Sequence, residues 1–259
     1  MIELCLATFK WAYFELNKSA VKIHTQLDLR GNIPAFFHIT KAKVHDINFL
    51  DILEFEIGAF YVMDRGYFDF ERLWKINQAE AYFVIRAKKS ISYERMYSND
   101  VDKTIGLRSD QTIKLKHFYS KKHYPEKLRR IKYYDAETKK YYVYLTNNFK
   151  VDAKIIADLY KQRWQIELFF KWIKQHLRIE VFWGYSQNAV KTQICIALCT
   201  FLLVAIMKKK LGIQRNLYEI LQILSASQFE KTPINTLLSE LNLRILEDQA
   251  QKRLFSLDF

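Results

Sequence analysis

The chain has 259 residues, half of them apolar, which is enough to bury a real core and excludes a disordered polypeptide. Its 41 Lys plus Arg against 28 Asp plus Glu leave a net charge of +13, pointing to a polyanionic partner, either nucleic acid or an anionic membrane surface. Three cysteines, Cys5, Cys195 and Cys199, lack metal-ligand spacing and read as buried free thiols of a reducing compartment, and Lys10 and Glu15 interrupt the N-terminal stretch too early for a secretory signal.

In chain order, Ala20 to Leu29 and Ile33 to Thr40 are rich in β-formers, and Arg30-Gly31-Asn32 between them predicts a hairpin. Val44 to Phe55 predicts a helix, and Ala59 to Met63 a short buried strand that Asp64-Arg65-Gly66-Tyr67 breaks. A helix over Phe68 to Asn77 and an apolar strand over Ala81 to Arg86 come next. Strands alternating with helices in this order predict an α/β sheet.

From Lys88 to about Asn147 aromatic and β-branched residues alternate with lysines, and no long helical period runs through them, which predicts a strand-rich inserted segment. Residues 88–150 hold 16 Lys plus Arg against 7 Asp plus Glu, a surplus of 9 out of the total +13. With Tyr93, Tyr97, Tyr119, Tyr124, Tyr133 and Tyr134 interleaved, such a face suits a phosphate backbone. It equally suits a solvated β face whose edge lysines oppose aggregation.

Beyond Asn147 the sequence predicts helices: Asp152 to Arg178, Asn188 to Leu211, Leu217 to Leu224, and from Ile234 onward. On the first of these, at about 100° per residue, Tyr160, Arg163, Glu167 and Lys174 share a stripe roughly 60° wide. The stripe borders an apolar face of Leu159, Ile166, Phe169, Phe170, Ile173 and Leu177. The fourteen-residue apolar run Ile194 to Met207 falls short of the roughly 20 residues needed to span a bilayer and predicts a buried core helix.

Two carboxylates stand out by position: Asp64 just past a buried strand, and Glu167 on the long helix. Ligands gather at the strand ends of open α/β sheets, and carboxylates near cations there suit Mg²⁺ or Mn²⁺. The plainer alternatives are a helix-capping aspartate for Asp64 and a solvated i, i+4 pair for Arg163 and Glu167.

Asp64-Arg65-Gly66-Tyr67 after an apolar strand, the basic insertion, and the Tyr160/Arg163/Glu167/Lys174 helix together resemble the YREK group of DDE insertion-sequence transposases. The resemblance extends through Ile23-His24-Thr25, Leu27 to Pro34, His45-Asp46 and Tyr82 to Arg86. It implies a ribonuclease H-like α/β catalytic core with a β-rich insertion and a helical C-terminal part. The corresponding divisions are the first part of the core at 1–87, the insertion at 88–147, core helices at 148–212 and a helical region at 213–259.

By the same resemblance, Asp64 and Glu167 are catalytic, metal-binding carboxylates. Arg163 and Lys174 hold phosphates of the transposon end, and Tyr160 hydrogen-bonds that backbone. Trp164 stacks on an extruded base or packs in the core. The implied chemistry is two-metal phosphoryl transfer with Mg²⁺ or Mn²⁺, acting on double-stranded transposon-end DNA and target DNA. A homodimer, a cytoplasmic, nucleoid-associated location and no membrane role are expected with it.

Family members carry their first catalytic aspartate just upstream of a run resembling Met1 to Ala12, and Glu3, Asp28 and Asp46 fall elsewhere in the pattern. The expectation is therefore a truncated transposase of little or no activity. The alternatives are a ribonuclease H-like nuclease without strand transfer, a non-catalytic DNA-binding remnant, and a basic membrane-surface protein using Ile194 to Met207.

Overall fold

A computed structural model of the chain describes residues 2–4, 10–15, 18–177, 179, 181–227, 229 and 231–238. The chain divides into two compact units, Met1–Phe169 and Phe170–Phe259. Cys5 lies outside the described residues; Cys195 and Cys199 are free thiols, but Cys195 is half-buried and Cys199 exposed, not buried as expected, because they lie off the buried stripe of their helix.

In the first unit β1 (Ile2–Leu4), β2 (Tyr13–Glu15), β3 (Lys18–Asp28) and β4 (Ile33–Lys41) form an antiparallel sheet in which β3 pairs with the other three. The expected hairpin joins β3 to β4. Asp28 accepts a hydrogen bond from the Arg30 backbone N–H at 3.0 Å and pairs with its guanidinium at 2.9 Å. Asn32 takes a left-handed φ of 51°, which asparagine tolerates at a turn.

The helix expected over Val44 to Phe55 is instead a short 3₁₀ helix, Asp46–Asp51, followed by irregular chain. Its N-cap, His45, makes no side-chain cap bond. Phe49 is held by stacking on His24 at 5.3 Å and Phe36 at 5.9 Å. Packing against β3 and β4 thus overrides the helical period of the segment.

The second sheet contains β5 (Phe60–Met63), β6 (Tyr82–Arg86), β7 (Tyr93–Asn99), β8 (Leu107–Leu115), β9 (Leu128–Asp135) and β10 (Lys140–Thr146), in the order β5-β6-β10-β9-β8-β7. β5 and β6 are parallel, linked through α1 (Phe70–Gln78), and the other pairs are antiparallel. Asp69 caps α1 by accepting from the Arg72 backbone N–H at 3.0 Å. The strand-rich segment expected after Lys88 therefore continues the sheet begun by β5 and β6, with one short helix, α2 (Phe118–His123), inside it.

Two apolar clusters lie on this sheet. Leu73 and Ile76 of α1 pack with Phe83, Ile85, Ile113, Leu128 and Leu145. Ile156, Ala157 and Tyr160 of α3 (Ala153–Lys161) pack with Val84, Ile131, Tyr133 and Tyr144. Along β9, Arg129, Ile131, Tyr133 and Asp135 are buried in alternation, as one covered sheet face requires. Arg129 and Asp110 form a buried bidentate pair at 2.8 Å, and Arg129 also donates to the Asn148 and Val151 carbonyls. The mixed sheet with helices on it agrees with the α/β, ribonuclease H-like class expected from the sequence.

The single helix expected over Asp152 to Arg178 is broken. α3 ends at Lys161, Gln162–Trp164 form a 3₁₀ turn, and α4 (Gln165–Leu177) comes after it. A 3₁₀ turn advances roughly 20° more per residue than an α-helix, so the residues of α4 are rotated relative to a regular stripe.

The second unit contains α5 (Gln187–Lys210), α6 (Leu217–Ala226) and α7 (Ile234–Leu237), with Val204, Ile220 and Leu238 forming a small core. Ser186 caps α5 by accepting from the Ala189 backbone N–H at 3.1 Å. The run Ile194 to Met207 is not wholly buried. Ile194, Ala197, Leu198, Phe201 and Val204 are, whereas Ile196 and Leu203 are exposed. α5 is also longer than the apolar run alone suggests, and by length and composition it could cross a bilayer. The helix expected from Ile234 is described for one turn, and the remainder lies outside the described residues.

Candidate active site

The parallel register sets Met63 opposite Ile85, so the next residue of each strand, Asp64 and Arg86, stands at the same carboxyl edge of the sheet. Strand ends of this kind are where open α/β sheets hold ligands. Tyr144 of β10 lies opposite Arg86, and the Tyr160 ring packs on Tyr144 with centroids 4.7 Å apart. The edge of the sheet is thereby tied to the end of α3.

Asp64 caps the short 3₁₀ turn Arg65–Tyr67, accepting from the Arg65 backbone N–H at 2.7 Å through Oδ1. The capping role weighed from sequence is therefore real, and it leaves Oδ2 directed to another partner. Arg163 Nη1 lies 4.0 Å from that Oδ2, while its Nη2 donates to Glu167 Oε1 at 2.6 Å. One guanidinium thus bridges both sequence-predicted carboxylates, each of whose side chains is more than half exposed. Burial opposes the charge on Arg163, but the Glu167 bond and the Asp64 charge outweigh it and hold the guanidinium above its ordinary pKa.

Tyr160 is only 8% exposed and belongs to the α3 core. Burial pushes its phenol pKa up and the Asp64 charge adds to that, against Arg163, Arg86 and Arg65. Tyr67 is pushed up to about 12, first by burial and then by Asp46 and Asp64. Both phenols are therefore neutral donors at ordinary pH.

Trp164, in the 3₁₀ turn, is 52% exposed, which excludes the core-packing alternative. Lys174 lies further along α4, in the second unit. The structure brings together Asp64, Tyr160, Arg163 and Glu167. Among the described residues no group of three His, Cys, Asp or Glu side chains is placed to hold a metal ion.

Two cations were not singled out from sequence. Arg65 Nε and Arg86 Nε are buried without a hydrogen-bond partner, and the Arg86 guanidinium lies 4.9 Å from the Tyr142 ring centroid. The available signal was a charged residue ending the apolar run Tyr82 to Arg86, which acquires meaning only once β6 is set parallel to β5.

Residues 11–203 match the Transposase DDE domain family. The chain is 35% identical over 202 residues to a protein named as transposase y4zB of Sinorhizobium fredii, covering 76% of this chain and 56% of that protein. It is 32% identical over 197 residues to a protein named as the transposase of insertion sequence element IS5377 of Geobacillus stearothermophilus, covering 74% and 51%. A protein named as the transposase of IS4SA from Synechocystis is 28% identical over 229 residues, covering 86% and 64%. The chain thus spans between about half and two thirds of the length of these relatives. With a family match over most of its length and an α/β core that carries an acid at a strand end, the chain belongs to the DDE-domain transposases of insertion sequences.

Proposed function

We propose that the chain forms the core part of a YREK-type transposase that binds transposon-end DNA and cleaves and transfers its strands. The observation that carries this reading is the convergence of Asp64 and Glu167 on Arg163, within a chain of the DDE family. Arg163 is suited to exchange its carboxylates for a DNA phosphate, since a guanidinium fork matches both acceptors. Tyr160 would donate a neutral phenol hydrogen bond to the same backbone. Trp164 is available to stack on an extruded base, and Lys174, seven residues after Glu167 on α4, would add a phosphate contact.

The donor chemistry fits Mg²⁺ or Mn²⁺: hard oxygens on accessible carboxylates, in a metal class that is held by one or two carboxylates with waters and substrate phosphates completing the shell. Asp64 and Glu167 would hold it, and a two-metal site would supply Lewis-acid stabilisation of an in-line phosphoryl transfer. In this reading residues 1–87 and 148–212 form the core, 88–147 the insertion and 213–259 a helical region. The protein works in the cytoplasm on nucleoid DNA, as a homodimer pairing two ends.

A non-catalytic DNA-binding role is the second reading, favoured by Arg163 lying between both carboxylates. On this reading, with Arg163 on the carboxylates, the chain should bind DNA and cleave it weakly or not at all. The test pairs DNA-end binding with Mn²⁺ binding. The chain should bind a transposon-end duplex with salt-sensitive affinity, and Asp64→Asn and Glu167→Gln should each weaken Mn²⁺ binding while DNA binding persists. A chain that binds no duplex, or variants that bind Mn²⁺ unchanged, overturns the proposal. Metal-dependent nicking with a joined product would overturn the non-catalytic reading, and nicking without joining would mark a nuclease.

A further inference from the structure

Alternation along β9 sets Leu128, Arg130, Lys132 and Tyr134 on the sheet face opposite Arg129, Ile131 and Tyr133. Leu128 belongs to the cluster under α1, whereas Ile131 and Tyr133 pack with α3. Beyond Leu128, the α1 face carries cations on rings. The Arg130 guanidinium lies 5.0 Å from the Tyr93 ring centroid, Lys132 Nζ 5.1 Å from that of Tyr141, and the Arg108 guanidinium 5.4 Å from that of Tyr134. Tyr134 and Tyr141 are cross-strand partners with centroids 4.9 Å apart, and Tyr141 is 58% exposed.

Apart from Arg86, which lies over the Tyr142 ring on the α3 face, the two faces treat their cations differently. On the α3 face the lysines near Tyr133 are neutralised: Lys154 pairs with Asp158 at 2.5 Å and Lys161 with Asp135 at 3.3 Å, while buried Arg129 pairs with Asp110. On the α1 face, among the described residues, Arg108 and Arg130 donate only to neutral oxygens, of Lys103 and Gln111, and none of Arg108, Arg130 and Lys132 meets a carboxylate. A tyrosine ring orders a cation without cancelling its charge, so the N–H groups stay available for an anion. Guarding the sheet against aggregation does not account for this ladder, because that device belongs to edge strands and β9 and β10 are interior.

We propose that this face of β8, β9 and β10 binds the phosphate backbone of duplex DNA through Arg108, Arg130 and Lys132, with the exposed Tyr141 hydroxyl as an added phosphate donor. The contact involves none of the residues of the Asp64–Arg163–Glu167 cluster. It rests on the reading of the chain as a DNA-acting transposase and deepens it by assigning a second, sequence-independent DNA contact.

The test uses the whole chain and a fluorescent duplex of arbitrary sequence, with affinity measured by anisotropy across a salt series. R108Q/R130Q/K132Q is compared with K208Q/K209Q/K210Q, which removes the same charge from the end of α5. The ladder variant should lower the slope of log K against log salt by about 0.9 for each cation lost and weaken low-salt binding tenfold or more, while the α5 variant binds nearly as the parent does. Lys132→Arg should bind as the parent. Should the triple variant melt early, Lys132→Gln serves alone, because Nζ makes a ring contact and no hydrogen bond, and a slope lower by about 0.9 is then expected. Equal losses in the ladder and α5 variants would mean diffuse charge and overturn the proposal. Unchanged ladder binding overturns it while leaving the DNA reading intact, and a parent chain that binds no duplex overturns both.

Discussion

Arg163 and Asp64, far apart in the chain, meet at 4.0 Å because β5 ends at the same sheet edge onto which the 3₁₀ turn after α3 folds. The same guanidinium holds Glu167 at 2.6 Å, one helical turn further on. If Asp64 and Glu167 hold a metal as proposed above, this guanidinium competes with it, and metal binding and phosphate binding would be linked through one side chain.

That link predicts opposite effects from one substitution. Arg163→Gln should raise Mn²⁺ affinity a few-fold, the scale of an exposed ion pair, while lowering affinity for a duplex. Isothermal calorimetry with Mn²⁺ and anisotropy with DNA measure the two. Losses in both would show that Arg163 supports the site and does not compete within it.

Tyr160 separates packing from contact. Its ring is buried on Tyr144, so Tyr160→Ala should cost about 3–5 kcal/mol in denaturant unfolding. Tyr160→Phe keeps the ring and should stay within about 1 kcal/mol of the parent, yet weaken binding to a transposon-end duplex. Undiminished binding by Tyr160→Phe would remove the hydroxyl from the DNA contact.

The buried Arg129–Asp110 pair joins β8 to β9 and, through the Asn148 and Val151 carbonyls, to the start of α3. Asp110→Ala leaves a buried guanidinium unpaired and should destabilise by about 3–5 kcal/mol. Adding Arg129→Met should restore only part of this, since the two carbonyls lose their donor. Chemical denaturation of the three variants gives the comparison.

His24 gives a pH signature. Burial lowers its pKa below the ordinary 6.5, against the raising effect of Asp46 and with Lys22 and His38 adding to the lowering. The native chain therefore holds the ring neutral at pH values where the unfolded chain already takes up a proton. Stability should rise with pH through the window just below 6.5 and level off above it. His24→Gln should flatten that part of a melting-temperature profile, whereas an unchanged slope would assign it to other groups.

Much of the fold is legible locally. The β3–β4 hairpin, β5, α1, β6 and α5 arise from turn residues and apolar periods, which are set within a few residues of chain. The failures share one cause. Val44 to Phe55 carries a helical period, but Phe49 is claimed by His24 and Phe36 from the neighbouring strands. The period through Asp152 to Arg178 is unbroken in sequence, and nothing in it marks the 3₁₀ turn at Gln162–Trp164.

The sequence by itself determined the α/β class, the transposase resemblance, the candidate acids Asp64 and Glu167 and the basic insertion, since all of these rest on residue type and local spacing. Tertiary structure alone decided that Arg163 bridges the two acids, that Arg86 stands beside Asp64, and that the cations of β8 and β9 divide between a neutralised and an uncompensated face. Those outcomes depend on strand register and on which face a helix covers. Both are fixed by contacts between residues distant in the chain, to which a local period is blind.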